Sequence, residues 1–232
     1  MFTLFIANKN YSSWSLRPWV LMRELHIPFE ERIIPFGGIS TPDAFRSFSP
    51  TGKVPCLVDA DLVIWDSLAI SEYLAEAVST VWPSERVPRA WARCAAAEMH
   101  SGFLNLRNSC TMNCGLRVKI EVHSKALLSE LQRVDELWND GLSRFGGPFL
   151  AGKTFTAVDA FFAPVAFRVQ TYDPPLSARA REYVNLLLGL PSMKHWYEAA
   201  LRETWRDEEH EAEARKSGLW LHDLRHSALR RD

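Results

Sequence analysis

Two hydrophobic periods meet at "STVWPSERVP" (residues 79–88), and that change restricts the folds open to the chain more than any other feature. Before it, apolar runs of strand length alternate with helical stripes; after it, only helical spacing remains. The stretch itself sets two prolines among polar residues, as a connection between domains does. The expectation is a mixed α/β domain over residues 1–79 followed by an all-α domain over residues 88–232.

In the first part, "FTLFIAN" (residues 2–8) reads as a strand that ends in the turn-favouring Asn8, Lys9 and Asn10. From Ser12 or Ser13 the apolar residues Trp14, Leu16, Trp19, Val20, Met22 and Leu25 fall on one helical stripe, with serine as N-cap and Pro18 early enough to be tolerated. "PFEERIIPF" (residues 28–36) is a second strand, which makes a βαβ unit with parallel strands and a right-handed crossover. A loop with a short amphipathic turn around Asp43 to Phe48 follows, then "KVPCLVDA" and "DLVIWDS" as a hairpin on the same sheet. "DSLAISEYLAEAV" (residues 66–78) closes this half as a helix, so the order is βαβ and then ββα about one mixed, four-stranded sheet.

The second part reads as helices throughout. "RAWARCAAAEMHSGFLNLRNS" is long and helical, and "EVHSKALLSELQRVDELWNDGLSRF" is another helix, stopped by Gly146, Gly147 and Pro148. Further helices start near Val158, near Ala178 and after Pro191. The charged tail from Arg206 reads as a solvated helix with an apolar patch at Trp220 and Leu221. His222 and His226 sit four apart there, but no third ligand lies at a metal-site spacing, so no metal is expected.

With 27 basic and 28 acidic residues the net charge is −1, which gives no reason to expect a nucleic acid as partner. No apolar stretch approaches the roughly 20 residues of a membrane helix, and the first residues lack the basic start of a signal peptide. The expected location is the cytoplasm. Cys56, Cys94, Cys110 and Cys114 form no CxxC pair, which suits reduced bystander thiols.

The chemistry-bearing stretch is "YSSWSLRPW" (residues 11–19). Ser12, Ser13 and Ser15 stand where a strand gives way to a helix, so hydroxyls, free backbone N–H groups and the positive end of the helix dipole meet there. That combination holds an anion, a thiolate included, and also serves as a plain helix cap. A serine hydrolase would place its nucleophile at a similar turn, but the G-x-S-x-G frame is missing. In "GKVPCL" Pro55 opens a strand, where a bend would leave the Val54 N–H and C=O for a peptide-like ligand; an ordinary edge-strand proline reads the same way. Asp66 and Ser67 head the next helix, where they cap it or hold the ammonium and carboxylate of an α-amino acid.

Serines at the first helix, Val-Pro before the third strand, Asp-Ser heading the closing helix and a helical second half together resemble the cytosolic glutathione S-transferase superfamily, over residues 1 to about 205. The resemblance implies a thioredoxin-like N-terminal domain with glutathione as co-substrate, Val54 and Pro55 at its cysteinyl backbone, Asp66 and Ser67 at its γ-glutamyl end and Lys53 at its glycyl carboxylate. "YSSWSLRPW" looks like the serine-type motif S-S-C-x-x-R of the zeta class and related bacterial members. Ser12 then matches the activating serine, Ser13 stands beside it, and Arg17 matches the arginine. Trp14 stands where that motif has cysteine, which counts against isomerase chemistry of the maleylacetoacetate type. Tyr11 competes as thiol donor, as a tyrosine does in other classes.

"FLAGKTFTAVDAFFAPV" resembles the family's helix-six signature, with Thr156 and Asp159 as a stabilising capping box. The family's electrophile pocket falls on "FLNLRNSCTMNCGLR", where Arg107, Met112, Asn113 and Arg117 are the candidates for an acidic or aromatic acceptor; a helix face or dimer contact explains them as well. The implied protein is a cytoplasmic, homodimeric glutathione transferase acting on a small electrophile, as in detoxification. The alternatives are a glutathione-dependent isomerase or dehalogenase, and a non-catalytic glutathione-binding protein of the same fold.

Overall fold

The computed structural model describes residues 1–37 and 41–226, the side chains of residues 41–43 excepted. The loop at residues 38–40 and the last part of the charged tail lie outside the described residues. In chain order the first half holds β1 (Phe2–Ile6), α1 (Ser13–Glu24), β2 (Phe29–Ile33), α2 (Thr41–Arg46), β3 (Cys56–Asp59), β4 (Leu62–Ile64) and α3 (Ser67–Ala77). The strands form one mixed sheet in the order β2-β1-β3-β4. β1 and β2 are parallel, Leu4 facing Glu31, because a helix returns the chain between them; β3 runs antiparallel to both β1 and β4.

After the connection come α4 (Arg86–Ser101), α5 (Leu104–Ser109), β5 (Leu116–Lys119), α6 (Lys125–Phe145), α7 (Ala157–Tyr172), α8 (Ala178–Gly189), α9 (Pro191–Arg202), α10 (Glu208–Ser217) and β6 (Leu219–Asp223). The fold is that of a thioredoxin-like sheet followed by a helical second half. Two local expectations are corrected. The stretch from Arg89 to Ser109 is two helices, because the chain breaks at Gly102 and at Phe103, which has a positive φ of 59°. The tail is a helix and then a strand: Leu219–Asp223 pairs antiparallel with Leu116–Lys119, so His222 lies on a ribbon and shares no helix face with His226.

The core explains why these elements sit together. Between its first turn and its last, α7 is apolar on every side except at Arg168 and Gln170, as a helix enclosed by others must be. It packs against α1, α4 and α8, and α1 answers with Leu16, Trp19 and Val20, each fully buried. The start of α7 is fixed by Asp159, whose carboxylate accepts the N–H groups of Thr156 (2.9 Å) and Leu150 (3.0 Å) and the Tyr183 hydroxyl (2.9 Å). α1 is therefore clamped between the sheet and α7, and its N-terminal turn opens between the two halves of the chain. No helix among the described residues is long and apolar enough to cross a membrane.

Candidate functional site

The loop after β1 delivers the serines. Ser12 is the N-cap of α1 and Ser13 its first residue, so both stand at the terminus where first-turn N–H groups lack intrahelical acceptors. The two hydroxyls differ in their hydrogen bonding. Ser12 is 5% exposed and donates to Ser15 Oγ at 2.7 Å, and Ser15 Oγ also accepts the Ala7 N–H at 3.2 Å. Ser13 is half-buried, and its oxygen accepts from Arg168 Nη2 at 3.3 Å, which leaves its own proton uncommitted.

These serines line a cavity of about 460 Å³. Trp14, Lys53 and Val54 complete its wall on the sheet side, and Arg107, Met112, Arg168 and His210 face them from the helical half. Trp14, Lys53 and Val54 continue into an adjoining hollow of about 440 Å³, which also has Pro55, Asp66 and His100 on its walls. The Val54–Pro55 peptide is cis. A larger hollow of about 800 Å³ lies on the outer face of the sheet, between Phe5, Arg32 and Phe48. It is remote from the α1 terminus, so the two smaller hollows form the candidate site.

Asp66 caps α3 by accepting the Leu68 N–H at 2.9 Å, and its other oxygen lies 3.2 Å from His100 Nε2. Burial lowers the His100 pKa, with Arg17 and Arg107 adding to the effect against the pull of Asp66, so at neutral pH this contact is a hydrogen bond from a neutral imidazole. The Asp66 carboxylate is exposed at the wall of the second hollow. Ser67 is fully buried, its hydroxyl unpartnered, beneath the surface that Asp66 presents.

Trp14, at the cysteine position of the motif, is a partition. Its indole lies between the guanidinium groups of Arg17 at 4.1 Å and Arg107 at 4.4 Å, with His100 edge-on at 5.3 Å. Arg17 is 2% exposed and sits behind the wall, between Trp14 and Phe161. Burial, reinforced by Arg107 and Arg168, holds its pKa well below the ordinary arginine value.

Three candidates are drawn away from a ligand. The Tyr11 hydroxyl donates to Glu211 Oε1 at 2.7 Å, and burial with that carboxylate pushes its pKa well up, so it is a poor thiol donor. Asn113 is buried behind the cavity, where its carbonyl oxygen accepts from Asn10 at 2.9 Å. Arg117 is on β5, donating to the Leu116 carbonyl at 2.8 Å and the Tyr197 hydroxyl at 3.2 Å. Arg107 and Met112 do reach the cavity.

Sequence reasoning missed Arg168 and His210. A lone basic residue deep in the apolar run "AVDAFFAPVAFRVQTY" was the signal for Arg168, since such a residue is tolerated only with a polar task. His210 caught no attention because its neighbours are tail residues; its Nδ1 lies 2.5 Å from Asp207 and its ring stacks on Tyr11 at 5.0 Å.

Comparison with known proteins bears on the family and the fold. Residues 11–77 match the model of the glutathione S-transferase N-terminal domain, and residues 121–199 that of the C-terminal domain. A probable glutathione S-transferase, DHAR1, from Oryza sativa subsp. japonica is 30% identical over 158 residues, 68% of this chain and 66% of that protein. A second, chloroplastic DHAR2 from the same plant, is 28% identical over 154 residues, 66% of this chain and 50% of that protein. The chain thus spans between half and two thirds of these relatives. Among solved structures, a glutathione transferase homolog from Burkholderia GL BGR1 with bound glutathione superposes with a TM-score of 0.63 at 24% identity, covering 86% of this chain and 97% of that one, a likeness of fold. With both domains matched in order, the chain belongs to the glutathione S-transferase superfamily.

Proposed function

We propose that the protein is a glutathione transferase of the serine type, in which Ser13 donates to the thiolate of bound glutathione and Ser12 holds the turn in place. The observation that carries this reading is the contact from Arg168 to Ser13 Oγ at 3.3 Å. With that lone pair occupied by a cation, the Ser13 O–H is polarised and directed away from Arg168, while the Ser12 proton is spent on Ser15. A free thiol has a pKa near 8.5, and each unit of depression requires about 1.4 kcal/mol, which a charge-assisted donor and the helix terminus together supply.

Glutathione lies along the two hollows in this reading: its cysteinyl backbone against Val54 and Pro55, its ammonium at Asp66, its glycyl carboxylate near Lys53 and its sulfur at the α1 terminus. Trp14 and Arg17 support that groove, and Ser15 and Tyr11 act by fixing the loop. The sulfur attacks an electrophile held by the helical half; the protein contributes binding, orientation and thiol acidity. Residues 1–79 are the glutathione domain and 88–232 the acceptor domain. A cytoplasmic homodimer with a role in detoxification is the accompanying proposal. The serine motif favours the zeta class and its bacterial relatives, whereas Trp14 in the cysteine position argues against isomerase turnover.

A titration of the bound thiol by its ultraviolet thiolate absorbance tests the assignment. Ser13→Ala is expected to raise the bound thiol's pKa by about one unit or more, and Ser12→Ala to raise it less. An unchanged pKa in both variants sinks the serine-type reading. Glutathione binding without conjugation of any aryl halide favours a binding protein instead.

A further inference from the structure

We infer that the acceptor half of the cavity is an anion subsite, built by Arg107 and Arg168 for an electrophile that carries a carboxylate. The inference rests on the transferase reading for the identity of the attacking sulfur, but the binding of the anion stands on this chain's arginines.

Arg17, Arg107 and Arg168 gather around Trp14 and the end of α5, and among the described residues none of them has a carboxylate within salt-bridge distance. Arg17 and Arg168 are buried and Arg107 half-buried; Arg225, also buried, behaves in the opposite way. Arg225 is clasped by Glu211 at 2.5 Å and by Asp223 at 2.6 Å. A buried cation without a partner is costly, so its persistence at a cavity wall points to a counter-charge that arrives with the ligand.

Both cavity arginines are oriented by main-chain carbonyls through one edge of the guanidinium. Arg107 Nη2 donates to Met99 and His100 at the end of α4, the latter at 2.9 Å, and Arg168 Nη1 donates to Cys110 beyond α5. The Nε of each is buried and unpartnered. Carbonyl dipoles position these groups but leave their net charge uncompensated. Arg168 is 5% exposed, and burial lowers its pKa to about 10, which keeps it charged at neutral pH.

The acids nearby are otherwise engaged. Glu130 accepts the N–H groups of Asn105 at 3.2 Å and Leu106 at 2.7 Å, and Asp207 is held by His210. Among the described residues, Glu213 on α10 is the one carboxylate on the cavity wall. Trp14, Phe36, Phe45 and Met112 provide apolar walls beside the arginines, so the fitting ligand is a conjugated or aromatic carboxylate.

In the reaction considered, the thiolate carbon–sulfur bond forms at the activated ring carbon, the carbon–chlorine bond breaks, chloride leaves with the electron pair and the thiol proton passes to solvent. Chlorodinitrobenzoate and its methyl ester present the same leaving group with and without the charge. The test compares their kcat/KM values, each divided by its uncatalysed rate with glutathione, and measures benzoate and benzamide binding by tryptophan fluorescence without glutathione.

The intact protein is expected to prefer the acid by about tenfold or more, the size of a charged hydrogen bond, and to bind benzoate over benzamide. Arg107→Met should erase most of that preference, and Glu213→Gln should increase it. No preference for either anion in the intact protein overturns the inference while leaving the transferase reading in place. Benzoate selectivity that depends on Arg107, with no conjugation of either halide, upholds the subsite and removes the transferase reading. A preference unaltered in both variants overturns it as well.

Discussion

The carboxylate of Glu203 accepts the backbone N–H of Lys9 at 2.6 Å, joining the end of α9 to the loop that follows β1. Its second oxygen takes the Asn10 N–H at 3.1 Å, the Trp196 indole donates to the Lys9 carbonyl at 2.8 Å, and Asn10 bonds Asn113 and Gly115 at 2.9 and 3.1 Å. The helical half therefore holds the very loop that aims Ser12 and Ser13.

Replacing Glu203 with alanine leaves two enclosed N–H groups without acceptors, a loss on the order of 2–4 kcal/mol. Because the serines follow directly, kcat/KM for glutathione should fall about tenfold or more, as small misplacements at a reacting centre do. Glu203→Gln keeps one acceptor oxygen and should lose roughly half as much stability. Urea unfolding and steady-state kinetics with glutathione varied check both; an Ala variant with wild-type kinetics shows that the loop is held without Glu203.

Asp159 gives the fold a pH signature. Burial raises its carboxyl from 3.8 to about 6, although the N–H groups of Leu150 and Thr156 and the Tyr183 hydroxyl pull the other way. A carboxyl whose folded pKa is raised binds its proton earlier in the folded chain than in the unfolded one. Its stabilising contribution is complete below about 3.8 and is lost as pH rises through about 6. Asp159→Ala should be less stable by about 2–4 kcal/mol at pH 7 from the lost hydrogen bonds, and the gap should widen by up to about 3 kcal/mol towards pH 4. Denaturant midpoints at both pH values decide; a gap that narrows on acidification refutes the raised pKa.

The order of elements was legible because each followed from a local rule: the strand of Phe2–Ile6, the serine start of α1 and the Thr156–Asp159 box all announce themselves within a few residues. The β5–β6 ribbon was not, since its strands are short, lie far apart in sequence and owe their pairing to the tertiary fold. The same division runs through the site. The α1 serines were visible as a motif, but which hydroxyl keeps its proton depends on Ser15 and on Arg168, which comes from α7 in the helical half. Asn113 and Arg117 lie in the stretch where the family resemblance puts the electrophile pocket, but the chain beyond Cys110 sends their side chains to Asn10 and Tyr197 instead.

The four thiols should separate sharply in reactivity. Cys94 is exposed on α4, whereas Cys56, Cys110 and Cys114 are buried. Burial pushes the Cys56 thiol up to about 11 and that of Cys110 up to about 12, and Cys114 higher still, so little thiolate is present to react. A disulfide reagent at pH 8 should label one thiol quickly and the other three only on the timescale of unfolding. Fast labelling of a second cysteine contradicts the packing described.

Trp14 marks the departure from the cysteine-bearing motif, and its replacement separates structural from chemical consequences. The indole keeps Arg17 and Arg107 apart, offering each a π-face at 4.1 and 4.4 Å. Trp14→Cys removes both cation–π contacts and the shared wall, at a cost of about 2–4 kcal/mol, whereas Trp14→Phe retains a ring face and should cost about 1 kcal/mol. Since the two hollows meet at this side chain, the cysteine variant should also raise the KM for glutathione several-fold more than the phenylalanine variant does. Unfolding midpoints and glutathione saturation curves for the pair provide the check. Equal losses in the two variants would mean that the ring face offered to the two guanidinium groups does not keep the partition standing, because only the phenylalanine variant retains one.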